Sequence, residues 1–318
     1  MDKKLQADFQ KEKKITAQRA IATSFIVDLL DVVFNFGVAI LSGSVIMFTQ
    51  VLEAFADLLA SGFLLLGLRR SLRKEDKTHP FGYGREIYFW TLLSSLLMFG
   101  ITSTFSFYLG WQRFIHPEPL HNIGLALLVL VITFFTNLYA FMISFKRLLR
   151  KRSLKHIVRI FYRSTLIETK TTFILDLMGT LASLWGVFAL GIYVIFKDLR
   201  FDGLGAMVIG VTLGVFSIFL IIGIRDLLVG KSAAPETEDR IKKAALKIKE
   251  VEGVLDIKTL HVGPERLLVN LDVHLNSHLS TDEIELLMDR IKEQVRRDVP
   301  TVRYLQVEPE TPSLSKNS

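Results

Sequence analysis

The chain has 318 residues, 50% of them hydrophobic, with 24 phenylalanines and a mean hydropathy of +0.37. That is more apolar than a soluble domain of this length needs, so a bilayer must supply part of its solvent. The net charge of +7 comes from Lys and Arg flanking the apolar runs, which signals membrane topology and argues against nucleic acid as a partner, while the lack of cysteine excludes disulfides, thiolate zinc sites and cysteine nucleophiles.

Residues 1–19 form a basic, cytosolic tail without the apolar core and cleavage site of a signal peptide. A hydrocarbon core about 30 Å thick needs about 20 apolar helical residues. Ala20 to Leu41, Ser44 to Leu68, Ile87 to Trp111 and Ile123 to Phe145 meet that test. So do a fifth run, starting near Ser164 or Thr171 and ending near Phe196, and a sixth, Gly203 to Ile224. Only Ser42 and Gly43 separate the first two, which predicts a tight hairpin. Basic residues crowd the tail, the second-to-third loop (Arg69, Arg70, Arg73, Lys74, Lys77, Arg85) and the fourth-to-fifth loop (Lys146, Arg147, Arg150, Lys151, Arg152, Lys155). The opposite side carries little beyond Arg113, Lys197 and Arg200, so the positive-inside rule puts both termini in the cytosol.

After Arg225 the composition turns soluble. Pro235 to Glu250 predicts a helix stopped by Gly253; Val254 to Val262 and Arg266 to Leu275 predict strands joined by Gly263 and Pro264. Ser280 with Glu283 makes a capping box for a second helix ending before Pro300, and Val302 to Val307 supplies a third strand. The expected fold class is therefore a polytopic α-helical membrane protein with six transmembrane helices and a C-terminal cytosolic α+β, ferredoxin-like domain of order α-β-β-α-β. The expected boundaries are 20–228 for the membrane domain, 229–310 for the cytosolic domain and 311–318 for a disordered tail.

Acids inside the spans carry the chemistry: Asp28 and Asp31 in the first, Glu53 and Asp57 in the second, Glu168 and Asp176 in the fifth, opposed there only by Lys170. A carboxylate near a helix centre costs about 2.5 kcal/mol or more, so several of one sign imply bound cations, protons or a wet cavity. Asp28 and Glu168 also fit a hydrated interfacial position. Lys170 reads as a snorkelling lysine. Glu53 and Asp57 are four apart and share a helix face, as do Thr172 and Asp176, so two facing pairs would offer three carboxylates and a hydroxyl. Polar pairs at this spacing also stitch helices together. Gly230-Lys231-Ser232 imitates the end of a P-loop, but no opening glycine or strand precedes it.

The stretch Ser42-Gly43-Ser44, the Glu53-Ala-Phe-Ala-Asp57 segment and the loop Asp76-Lys-Thr-His79-Pro-Phe-Gly82-Tyr83-Gly84-Arg85-Glu86 together resemble the cation diffusion facilitator family, bacterial zinc/iron-efflux type. Pro117-Glu118-Pro119, Asp176 and Asp202 add to the likeness, which spans almost the whole chain. The resemblance implies a homodimeric secondary transporter rather than an enzyme, with no resident cofactor, exporting divalent metal ions in exchange for protons. It implies a transport site of Glu53, Asp57 and Asp176, with Thr172 or Glu168 as a weaker fourth ligand and Asp31 as a possible auxiliary. Zinc-type members place histidine where Thr172 stands, and all seven histidines lie outside the spans. Oxygen donors suit harder ions, so the cargo leans to Mn²⁺ or Fe²⁺ over Zn²⁺. The loop pattern Asp-x-x-His-x-x-x-His becomes Asp76, His79, Tyr83, a weak site that lacks one nitrogen ligand. Positions aligned with the relatives' cytosolic zinc ligands read Leu255, Asp272, Gln306 and Glu308, so zinc control of that domain is not expected. The short loops point to a bacterial, inner-membrane member. The alternative reading is a transport-impaired protein of the same fold acting as a metal sensor or partner subunit.

Overall fold

The computed structural model describes residues 25–149, apart from Val27, and 167–312; the side chains of 147–149 and 167–170 are outside the description. The basic tail, most of the fourth-to-fifth loop and residues 313–318 therefore lie outside the described residues. The chain divides into two compact units, the first holding the described residues up to Arg70, from Glu86 to Leu149 and from Ile167 to Arg225, the second holding Ser71 to Arg85 and the residues from Asp226 onward.

The first unit is helical. An apolar helix α1 over residues 28–42 precedes α2 (Val45–Ser71), α3 (Glu86–Ile115), α4 (Ile123–Leu149), α5 (Ile167–Phe196) and α6 (Arg200–Val229). Among the described residues, α2 to α6 are long and apolar enough to cross a membrane. Their outward faces carry large apolar side chains such as Phe55, Phe135, Phe188 and Phe219, as lipid contact requires. Gly43 turns the chain between α1 and α2 at φ 64, a left-handed conformation that favours glycine, and its amide closes on the Ala39 carbonyl at 2.9 Å. Side-chain contacts of Phe25 with Gly62 and of Asp28 with Ser61 set the register of that hairpin. Small residues let α3 and α6 approach closely, Gly110 facing the backbone of Gly203 and Met207. A π-helical turn, Met98–Ser103, interrupts α3, and Thr102 within it donates to the Leu52 carbonyl on α2 at 3.3 Å.

The second unit is an α+β sandwich of order α7 (Pro235–Ala245), β1 (Val251–Gly263), β2 (Arg266–Leu275), α8 (Thr281–Asp298), β3 (Val302–Pro309). β1 pairs antiparallel and β3 parallel with β2, the central strand. Val269, Leu271 and Val273 project from one face of β2 into a core with Ile241, Ile291 and Val295, so α7 and α8 cover that face. The predicted capping box is formed: the Glu283 amide donates to Ser280 Oγ at 3.4 Å and the Ser280 amide to Glu283 Oε2 at 2.7 Å. The expected α-β-β-α-β order holds, with two shifts. α7 ends at Ala245, not Glu250, and β1 begins at Val251, with Gly253 beside a register shift rather than stopping a helix.

Candidate metal centre

Glu53 lies on the buried face of α2, 5% exposed. Gln50, one turn earlier, donates to its Oε2 at 3.1 Å, while Oε1 is buried without a hydrogen-bond partner. On α5 Gly179 leaves the space that Asn137 of α4 occupies: a Cβ there would stand 2.9 Å from Asn137 Nδ2 and 3.6 Å from Glu53 Oε1. Three helices thus meet around one carboxylate. Asp57, the next turn of α2, also has a buried oxygen, Oδ1, without a partner. It stands within electrostatic reach of Glu53, Asp28, Asp176 and Asp31. Leaving like-charged oxygens unpaired in an apolar interior is costly, so the arrangement favours a positive occupant.

The remaining predicted ligands are placed less centrally. Thr172 and Asp176 are half-buried on α5, one turn apart. Asp31 has an exposed side chain, whereas Asp28 is half-buried and accepts from Ser61 Oγ at 2.5 Å. The Glu168 side chain lies outside the described residues. Among the described residues, no three Asp, Glu or His side chains are gathered closely enough to hold a metal ion together. The carboxamides Asn35, Gln50 and Asn137 were not anticipated from the sequence. Their signal was there: uncharged polar residues inside apolar spans, one of them two helical turns after Asp28.

A second polar cluster closes the α1–α2 turn. Asp202, fully buried at the start of α6, accepts from Ser44 Oγ at 2.6 Å, from the Val45 amide at 2.8 Å and from the Ile46 amide at 3.2 Å. It thereby caps α2 from another helix. Arg113, 8% exposed, stands 3.7 Å from Asp202 and donates to the Gly43 carbonyl at 2.6 Å, while its other arm pairs with the Glu118 carboxylate at 3.2 Å.

Within the second unit, the Asp76 loop is closed by hydrogen bonds. Asp76 Oδ1 accepts from Thr78 Oγ1 at 2.7 Å, the His79 amide at 2.8 Å and the Thr78 amide at 2.9 Å, and Oδ2 accepts from Tyr83 Oη at 2.8 Å. The Thr78 hydroxyl leads these contacts in holding the Asp76 carboxyl far below the usual carboxylate range, with Tyr83 next. Tyr83 thus fills the position of the missing histidine, and His79 stacks on its ring at 4.1 Å. Gly84 packs so tightly on Val262 and Gly263 that a Cβ would collide with the Val262 carbonyl, and Phe81 meets the Tyr304 ring edge-on at 5.2 Å. On the open face of the sheet Asp256, Asp272 and Glu308 stand in register across three strands. The Lys258 ammonium lies 3.3 Å from Asp256 and interacts with all three acids, which raises its pKa, the Asp256 hydrogen bond most. A lysine therefore supplies the positive charge on this face.

The cation efflux transmembrane domain matches residues 21–228, and the cytoplasmic domain of cation efflux proteins matches residues 233–310. The chain belongs to the cation diffusion facilitator family. Within that family, a mouse protein named proton-coupled zinc antiporter SLC30A9, mitochondrial, is 24% identical over 283 residues, covering 86% of this chain and 50% of the relative. Metal tolerance protein C4 of Arabidopsis thaliana is 24% identical over 271 residues, covering 83% and 58%. The cation-efflux pump FieF of Klebsiella pneumoniae is 24% identical over 268 residues, covering 81% of both chains. The chain spans about half the length of the SLC30A9 proteins it matches.

Proposed function

We propose that this facilitator exports a divalent metal cation through the first unit, with Glu53, Asp57 and Asp176 as ligands and Thr172 or Glu168 as the fourth. The observation that carries the reading is the pair of buried, unpartnered carboxylate oxygens, Glu53 Oε1 and Asp57 Oδ1, one turn apart on α2. Either a divalent cation or protons can neutralise such a pair, so exchange of one for the other couples export to proton entry. An all-oxygen ligand set favours Mn²⁺ or Fe²⁺ over Zn²⁺. The relatives named as a zinc antiporter and a cation-efflux pump support the reaction class. The cytosolic domain is taken to join two copies into a homodimer, and both termini to face the cytosol of a bacterial inner membrane.

The test is flux into proteoliposomes with a panel of Zn²⁺, Mn²⁺, Fe²⁺, Co²⁺, Cd²⁺ and Mg²⁺, with and without a proton gradient. Uptake of Mn²⁺ or Fe²⁺ that follows the gradient is expected; no flux of any ion sinks the transporter reading. The second reading, a metal sensor or partner subunit, draws on the absence among the described residues of a gathered acid or histidine cluster. Metal binding without flux would favour it.

A further inference from the structure

On the first helix the sequence reading names Asp31 alone as a possible auxiliary ligand, yet its side chain is exposed, whereas α1 carries an asparagine as deeply buried as Glu53. Asn35 is 5% exposed and its Oδ1 is buried without a hydrogen-bond partner. Its neighbours Val33, Phe34 and Phe36 face outward, whereas Asn35, Val38, Ala39 and Ser42 form the buried stripe of α1. The hairpin register fixes its height. Phe25 meets Gly62 and Asp28 meets Ser61, so continuing two turns along α1 and back along α2 brings Asn35 level with Glu53. An amide oxygen buried without a donor has lost its hydration for nothing in return and is costly to keep. It is tolerated where something electropositive takes the place of the donor; Glu53, at the same height on α2, and Asp57, one turn further on, also hold unpartnered oxygens, and one cation would serve all three.

We propose that the carboxamide oxygen of Asn35 is a further ligand of the transported cation and biases the site toward hard divalent ions. This rests on the transport reading above. A neutral oxygen donor adds coordination without adding charge, so it favours ions that take many oxygen ligands over softer ones that prefer nitrogen or sulfur.

Binding of Mn²⁺ and of Cd²⁺ to the full-length protein in detergent, measured by titration calorimetry, tests it, with Mn²⁺ flux measured in parallel. In Asn35→Leu, of similar size, Mn²⁺ affinity is expected to fall about tenfold with a much smaller change for Cd²⁺, and Asn35→Asp is expected to restore Mn²⁺ binding. A purely structural asparagine would leave the Mn²⁺ to Cd²⁺ ratio where it was. An unchanged ratio in Asn35→Leu, with binding lost in Asp57→Ala, overturns the inference and leaves the transport reading standing; failure of the unaltered protein to bind or move either ion overturns both. Should the leucine variant not fold, Asn35→Asp decides: tighter Mn²⁺ binding supports the ligand role and unchanged affinity overturns it.

Discussion

Asp202 is the sharpest stability test the membrane unit offers, because one arginine is shared between a buried carboxylate and an exposed one. Asp202→Ala strips partners from the Ser44 hydroxyl and the Val45 and Ile46 amides, and leaves Arg113 without its buried counter-charge. Breaking a buried pair from one side costs about 3–5 kcal/mol. Glu118, with a side chain 73% exposed, pairs with the same Arg113 at 3.2 Å, and an exposed pair contributes about 0–1 kcal/mol. At about 2–4 °C per kcal/mol for a unit of this size, Asp202→Ala should lower the unfolding midpoint by roughly 6 °C or more, and Glu118→Ala by about 4 °C or less. Asp202→Asn should fall between them: it keeps an acceptor for Ser44 and Ile46 but loses the charge facing Arg113 and turns an NH₂ toward the Val45 amide. Tryptophan fluorescence of the full-length protein, heated in one detergent, reads all three. Equal small shifts for Asp202→Ala and Glu118→Ala would refute the reasoning.

Three further outcomes are expected. The cytosolic domain expressed from Ser232 should melt at nearly the same temperature with and without micromolar Zn²⁺, because Lys258 already occupies its acidic face; a bound ligand at 100-fold its Kd adds about 2.7 kcal/mol, so a large shift would expose an overlooked site. Thr172→His should raise zinc affinity relative to manganese by adding an imidazole one turn before Asp176; an active variant with unchanged preference would place Thr172 outside the ligand set. The Ser280 amide, then its hydroxyl, hold the Glu283 carboxyl below its ordinary range. Its folded-state pKa is therefore depressed, so its stabilisation is complete above about pH 4.3, the ordinary glutamate value, and is lost as pH falls through the lowered one. Glu283→Ala should accordingly make the domain's stability, followed by urea unfolding, less sensitive to acid.

Much of the fold was legible because span length and strand alternation are local signals. Where both ends are described, as in α2, α3 and α6, the helix began and ended within about five residues of its apolar run, but α2 continues through Arg69 and Arg70 to Ser71 and α4 reaches at least Leu149. Hydropathy marks the depth of hydrocarbon, and helical hydrogen bonding does not stop at its edge. Gly253 misled because glycine ends helices and also loosens strands, and only pairing with β2 decides between them. In the candidate site the acids stood out by their cost in lipid, whereas Asn35, Gln50 and Asn137 did not, because an uncharged amide in an apolar run carries a weaker signal. The link from Asp202 to Arg113 and the α1–α2 turn was invisible: it joins residues far apart in the chain, and no spacing rule connects them. Tyr83 read as a lost ligand in sequence and proves to be the hydrogen-bond donor that closes the Asp76 loop.

Whether the acids of α2 and α5 carry the cation is decided by Mn²⁺ flux through proteoliposomes of Asp57→Ala and Asp176→Ala, with His79→Ala as the comparison. Both aspartate variants should insert and fold but move no metal, since removing buried like charge need not unfold a helical bundle, while His79→Ala should retain most of its flux because its loop is held by Asp76 and Tyr83. Flux at the unaltered level in both aspartate variants would contradict that role.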